Sequence, residues 1–227
     1  SLREAMAGDS PVIAALFSDP EGESALFTAS SPHPHLLWAL ETLAWSDEHF
    51  GATADALARL AEIDPGGSLR NRPAESLARI FCPWYPENGA DNARRLTVID
   101  ALRERHPAVA WKLMLSMLPD SMAHHFPTAK PTYRDWVPPR EQIPYAEYFE
   151  LVEAIAERLA EDAGASPDRW AKLITEGRDL PPGGRAMIRT GISARIQELG
   201  ADARGELWEA LRAFIANHRE YADADWA

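Results

Sequence analysis

The chain has 227 residues, of which 46% are hydrophobic and 26% are charged. This composition is typical of a folded globular protein and argues against disorder. The formal net charge of −12 does not favour nucleic-acid binding, because phosphate contacts need clustered lysines and arginines. No apolar run approaches the roughly 20 residues of a membrane span. We therefore expect a cytoplasmic protein with no membrane partner.

Residues 1–63 are predicted to end in a pair of helices. The first helix is indicated by apolar residues with helical spacing, namely Leu36, Leu37, Leu40, Leu43 and Ala44. A second helix through Leu57 and Leu60 ends at the turn Asp64-Pro65-Gly66-Gly67. Two helices joined by a tight connection form an antiparallel hairpin.

Residues 64–142 form a central region that differs from the rest in charge and turn content. This region carries a net charge of +2, whereas residues 1–63 carry −8 and residues 143–227 carry −6. Short helices are predicted to begin at Asn71-Arg72-Pro73 and near Asp91, with a break at His106-Pro107. A proline-rich stretch from Asp120 to Pro144 is predicted to be a long irregular loop, and such loops are often functional.

Residues 143–227 return to regular helical patterns. A long helix is bounded by Gly164, and Ser166-Pro167-Asp168 carries the cap, first-turn proline and acidic residue of a helix start. Two further helices are indicated around Ile188–Ile192 and Leu207–Leu211.

These patterns predict an all-α protein that forms a single domain over residues 1–227. The helices are expected to pair in an α-solenoid-like array, similar to tetratricopeptide or HEAT repeats, with the proline-rich region as a central insert. The alternative is a compact helical bundle without repeats.

Arginine and aromatic residues of the central region are the best candidates for ligand binding. Guanidinium groups suit carboxylates and phosphates, and aromatic rings can stack on bases. The candidates are Arg72, Arg94, Arg134, Trp84 and Trp136. In the alternative interpretation, Arg72 and Arg134 tie loops to helix ends and to acids such as Asp64 and Asp135.

The tryptophans divide into two groups. Trp38, Trp111, Trp170 and Trp208 fall within apolar helical patterns and are predicted to be buried. Trp84 and Trp136 fall in loops, and we expect them to pin the central insert onto the helices. The single cysteine, Cys82, excludes an internal disulfide framework and is predicted to be buried.

Candidate catalytic and metal-binding residues are few. His33-Pro34-His35 lacks further ligands at a recognised spacing, so we predict no metal site and no cofactor. An enzyme would need His124 or His125 paired with an acid such as Asp120 or Asp135. No catalytic residue is assigned, and a non-enzymatic role is favoured.

The order of several motifs resembles a known class of proteins over residues 36–136. These motifs are Leu36–Glu41, Asp64–Gly67, Asn71–Pro73, Phe81–Pro86, Pro127-Thr128 and Arg134–Trp136. They resemble the helical-repeat region of large uncharacterised bacterial proteins that are similar to STAND-type signal-transduction NTPases. The resemblance implies a sensor or scaffold arm, a fragment whose enzyme lies outside these 227 residues. It would account for the missing Walker motif and the start at Ser1.

Three functional hypotheses follow from the sequence. The first is a non-catalytic interaction or scaffold module that binds a protein or peptide partner, which could be another domain of the parent chain. The second is a regulatory domain that binds an anion or nucleotide through the central arginines and loop tryptophans. The third is an enzyme with a His/Asp site in the loop at 120–136.

Overall fold

The computed structural model describes residues 15–18, 33–67, 71–120, 124, 126–137, 143–196 and 200–218. Within these ranges the chain is all-helical, which confirms the predicted class. The helices are α1 (His33–Ala44), α2 (Asp47–Ile63), α3 (Pro73–Ile80), α4 (Asn92–Arg105), α5 (Pro107–Ser116), α6 (Tyr145–Ala163), α7 (Pro167–Glu176), α8 (Pro182–Arg195) and α9 (Ala201–His218), with a 3-10 helix at Gly177–Asp179. In the described part of the chain, none of these helices is long and apolar enough to cross a membrane.

Local sequence signals set several helix starts. The carboxylate of Asp91 accepts a hydrogen bond from the backbone N–H of Arg94 at 2.7 Å, which caps α4. Ser166 caps α7 in the same way, and Pro167 occupies the first helical position. Pro73 likewise begins α3. These starts agree with the sequence predictions because a cap depends on residues only three positions apart.

The fold comprises two compact units. The first takes in Ser1–Leu113 and His124–Pro144, and the second takes in Met114–Ala123 and Tyr145–Ala227. The final turn of α5 therefore belongs to the second unit. The single domain expected from the sequence stays a prediction.

In the first unit, α2 is the central helix. It packs against α1, α3 and α4, and α1 also packs against α3. The side chain of Arg94, near the start of α4, faces Asp47 at the start of α2, whereas His106, just after α4, contacts Asp55 and Glu62 further along α2. Helices α2 and α4 therefore run in the same direction.

In the second unit, α6 packs against α8 and α7 packs against α9. Helices α7 and α8 approach closely where Gly191 faces the buried ring of Trp170. A Cβ atom added at Gly191 would lie only 2.5 Å from Cη2 of that ring. The absence of a side chain at residue 191 is therefore what allows Trp170 to pack there.

The exposure of two tryptophans corrects the sequence prediction. Trp111 and Trp170 are buried, as predicted, but Trp38 and Trp208 are 44% and 60% exposed. Trp38 and Trp208 lie on helices whose apolar residues extend around more of the helix than the side that packs against the rest of the unit. The side chains that fill the core at these helices are instead Leu37 and Leu207.

The close approach at Gly191 yields a stability prediction. Gly191→Ala forces the buried Trp170 ring to shift, and overpacking of this kind costs about 1–3 kcal/mol. Gly205→Ala in α9 is the matched control, because its added Cβ meets no atom within 4 Å and removing a helical glycine stabilises by up to about 1 kcal/mol. Urea unfolding followed by circular dichroism measures both changes. Equal midpoints for the two variants would contradict the packing described here.

Candidate functional site

A segment of the first unit, residues 126–137, contacts the end of α1 and the start of α2 and is called the strap. Its main chain is held by side chains at the end of α1: Ala129 N–H donates to Oε2 of Glu41 at 3.0 Å, and the hydroxyl of Thr42 donates to Ala129 C=O at 3.2 Å. The indole N–H of Trp45 donates to Oγ1 of Thr128 at 3.0 Å. The strap is thus fixed mainly through its backbone.

Glu41 links the strap to α3. Its carboxylate is almost fully buried, and besides Ala129 it accepts hydrogen bonds from the hydroxyl of Ser76 at 2.6 Å and from Arg79 at 3.4 Å. A buried carboxylate needs such partners because its loss of hydration is costly. One side chain therefore joins α1, α3 and the strap.

The loop between α3 and α4, residues 81–90, is organised around Arg95. This guanidinium is 1% exposed and donates to the carbonyls of Phe81, Cys82 and Ala90 at 3.1–3.3 Å. It also donates to Oδ1 of Asn88 at 3.0 Å. The amide of Asn88 in turn donates to Ile80 C=O at 2.6 Å. Arg95 therefore fixes both ends of the loop from within.

Cys82 lies in this loop and is buried, as the sequence predicted. Burial raises the pKa of its thiol above the ordinary value of 9.0, because the thiolate would lose hydration. The N–H groups of Tyr85 and Trp84 and the charge of Arg95 partly offset this effect. The direction of the net shift indicates a protonated, structural thiol at neutral pH.

A hydrogen bond joins the loop to the strap, and each segment carries exposed aromatic residues close to it in sequence. Thr128 N–H donates to Oε2 of Glu87 at 2.7 Å. Tyr85 and Phe126 lie two residues from this contact along their own segments, within about 7 Å of chain. Together with Trp84 they are 37–64% exposed. We call Trp84, Tyr85 and Phe126 the loop–strap surface.

The three arginines predicted to bind one ligand lie in separate places. Arg72 bonds to the Phe17 carbonyl at 2.7 Å and to Asp64 at 2.9 Å, beyond the end of α2. This is the loop tether of the alternative interpretation. Arg94 lies 3.6 Å from Asp47 at the opposite end of α2. Because α2 has 17 residues, these two ends are about 25 Å apart.

Arg134 and Trp136 do lie together. The guanidinium carbon of Arg134 is 5.5 Å from the centre of the Trp136 ring, which meets the ring of His49 edge-on at 5.7 Å. Trp136 therefore contacts α2, as expected for a residue that pins the strap. Asp47, which Arg94 faces, is two residues from His49 and so lies on the opposite side of the helix. Arg94 and Arg134 consequently do not converge either.

A cluster around His106 was not foreseen from the sequence. Its Nε2 lies 3.3 Å from Asp55, and its Nδ1 lies 3.0 Å from Glu62. Arg105 and Arg59 pair with the same two carboxylates at 2.7 Å and 3.1 Å. The seven-residue spacing of Asp55 and Glu62 on one face of α2 was a usable signal, but two of their partners, Arg105 and His106, come from the end of α4. The cluster fastens that end to α2.

The residues of the enzyme hypothesis show no comparable arrangement in the described ranges. His124 and Asp135 are exposed, His125 lies outside the described residues, and Asp120 faces Arg178 at 3.6 Å. His33 is buried and His35 contacts Trp38 edge-on. Over the residues that the structure describes, no three His, Cys, Asp or Glu side chains are placed to hold a metal ion.

Comparisons with protein families, curated proteins and solved structures find no match to this chain.

The role of Arg95 can be tested by its removal. Arg95→Met leaves the buried carbonyls of Phe81, Cys82 and Ala90 without the guanidinium donor, and each lost partner costs about 1–3 kcal/mol. We expect a loss of at least about 3 kcal/mol in the free energy of unfolding. The control is Arg94→Met, one residue away but 41% exposed, which should cost less than about 1 kcal/mol. Urea unfolding of both variants measures these losses. Similar losses in the free energy of unfolding would refute the organising role of Arg95.

The raised pKa of Cys82 predicts a pH dependence of stability. Because the folded thiol ionises at higher pH than the unfolded thiol, its contribution is complete below pH 9.0 and is lost as the pH rises further. The difference in unfolding free energy between wild type and Cys82→Ala should therefore be constant from about pH 7 to 8.5 and should shrink towards about pH 10. Urea titrations across this range measure it. A difference that stays constant would contradict the direction of the shift.

Proposed function

We propose that the chain is a non-catalytic helical-repeat module that binds a protein or peptide partner, as a scaffold or sensor arm of a larger cytoplasmic bacterial protein. The observation that carries the proposal is the loop–strap surface. Its aromatic side chains face solvent, whereas the backbone beneath them is fixed by Arg95, Glu87 and Glu41. Aromatic residues dominate the energetic centres of protein interfaces.

The packing of the helices supports a repeat arrangement. In the first unit, α1 packs on α2, α2 on α3, α1 on α3 and α2 on α4. In the second unit, α6 packs on α8 and α7 on α9. In both units, helices that are two apart in the chain therefore pack together, as they do between neighbouring hairpins of an α-solenoid.

Rigidity explains why these aromatic residues suit recognition. A side chain on a mobile loop loses conformational entropy when it binds, whereas a fixed loop has already lost it during folding. The buried guanidinium of Arg95 and the Glu87–Thr128 hydrogen bond hold Trp84, Tyr85 and Phe126 on ordered backbone. The surface is therefore pre-organised for a partner.

Site-specific photo-crosslinking in cells of the organism that encodes the protein tests this function. The crosslinker p-benzoylphenylalanine replaces Tyr85 or Phe126, and in the control it replaces Glu104, an exposed residue of α4 in the same unit. We expect positions 85 and 126 to yield the same discrete adduct, which position 104 does not yield. Trp84→Ala, added to the Tyr85 variant, should reduce that adduct at least about tenfold, as for the central residue of an interface.

Two results would overturn the proposal. One is the same set of adducts at positions 85, 126 and 104. The other is an adduct whose yield is unchanged by Trp84→Ala, with a melting temperature equal to that of the parent protein. The second result would show that the crosslinker reports only proximity in the cell.

A further inference from the structure

The last helix of the second unit, α9, carries apolar side chains that the unit leaves uncovered. Trp208 is 60% exposed, Ile215 is 55% exposed and Leu211 is half-buried. Their spacing of three and four residues places them in one row along the helix. Leu207, beside this row, is buried. We call Trp208, Leu211 and Ile215 the α9 stripe.

Positive charge borders the α9 stripe. Arg204 and Arg212 are exposed and lie four residues before and after Trp208, so both are its neighbours on the helix surface. The Nε of Arg212 lies 3.7 Å from the carboxylate of Glu209, and both side chains are about two-thirds exposed, so this pair is weak.

We propose that the α9 stripe binds an amphipathic helix of a partner protein whose apolar positions are flanked by aspartates or glutamates. An apolar row of this spacing is the surface on which a partner helix lies, with its own residues at i, i+3 or i+4, and i+7. Acidic flanks would pair with Arg204 and Arg212 and would set the partner's orientation.

The same charges disfavour a second copy of this chain as the occupant. If two α9 helices paired antiparallel with Trp208 against Ile215, the two-fold axis would pass between Leu211 and Arg212. The two copies of Arg212 would then be neighbours, and like charges in contact destabilise the pair. A parallel pair would place both arginines beside their own copies.

An anionic membrane surface is also a poor fit. Helices that lie in a membrane interface carry a polar face rich in lysine and arginine. Helix α9 instead exposes Asp202 and Glu209 on its polar side. Its positive charge is confined to the border of the stripe, which suits a partner helix better than a sheet of lipid phosphates.

The interface would be small. Helix α9 has 18 residues and is about 27 Å long, so one partner helix along it buries less surface than a stable complex requires. We therefore expect a transient complex, with a dissociation constant in the micromolar range or weaker.

Fluorescence anisotropy with two synthetic peptides and the full 227-residue chain tests the proposal. Both are helix-forming 18-residue peptides with leucines at the a and d positions of a heptad repeat. One carries glutamates at the e and g positions and the other carries lysines. We expect the glutamate peptide to bind at least about tenfold more tightly at low salt, with a difference that shrinks as salt is added.

Variants locate the binding site. Trp208→Asp should weaken the glutamate peptide at least about tenfold, as for a residue at the centre of an interface. Because Trp208 is more than half exposed, this change should lower the melting temperature only slightly. The combined variant Arg204→Glu and Arg212→Glu should instead favour the lysine peptide, a reversal that loss of folding cannot produce. Lys172→Glu, an exposed position of α7, is the control and should not alter the preference.

Four results would overturn the proposal. These are equal affinity for the two peptides, affinity unchanged by Trp208→Asp, a dimer of the chain that Trp208→Asp dissociates, and binding to anionic vesicles that requires Trp208. A fourth variant, Trp84→Ala, separates this proposal from the function assigned to the loop–strap surface. This variant should bind the peptide unchanged. Loss of binding would show that the peptide binds the loop–strap surface and not the α9 stripe.

Discussion

The buried guanidinium of Arg95 is the constraint on which the first unit depends. A charge removed from water must regain its hydrogen bonds inside the protein, and here the acceptors are backbone carbonyls at both ends of one loop. Any movement of the loop would take carbonyl acceptors away from this buried cation. The position of Glu87 follows from the loop, and through Thr128 the position of the strap follows from Glu87. These contacts fix the backbone of the segments that carry the exposed aromatic residues.

The helices were predictable because their determinants are local. Asp91, Ser166 and Pro73 act within one turn of the helix that each begins, so their role can be inferred from adjacent residues. The burial of Leu37, Leu57 and Ile99 follows from helical spacing in the same way. The direction of α4 relative to α2 was not predictable, because it depends on contacts between residues that are about 50 positions apart.

The fate of individual arginines and tryptophans could not be predicted from residue type. Arg94 and Arg95 are adjacent in sequence, yet a rotation of about 100° per residue sends one towards solvent and the other into the core. The strap is held by Trp45, 83 residues before Thr128, and not by Trp84, although both tryptophans can donate an indole N–H. Sequence patterns identify which side chains can make such bonds, whereas the partner is set by the tertiary fold.

The division of the chain has a consequence for how the protein can be dissected. The polypeptide passes from the first unit into the second at Met114, returns at His124 and leaves again at Tyr145. No single cut therefore separates the two units intact. A fragment ending at residue 113 lacks the strap, so the buried carboxylate of Glu41 loses the N–H of Ala129. A fragment beginning at residue 145 lacks the final turn of α5. The second segment of the first unit, 124–144, follows the first segment of the second unit, 114–123. Each unit is therefore complete only in a chain that also contains part of the other unit.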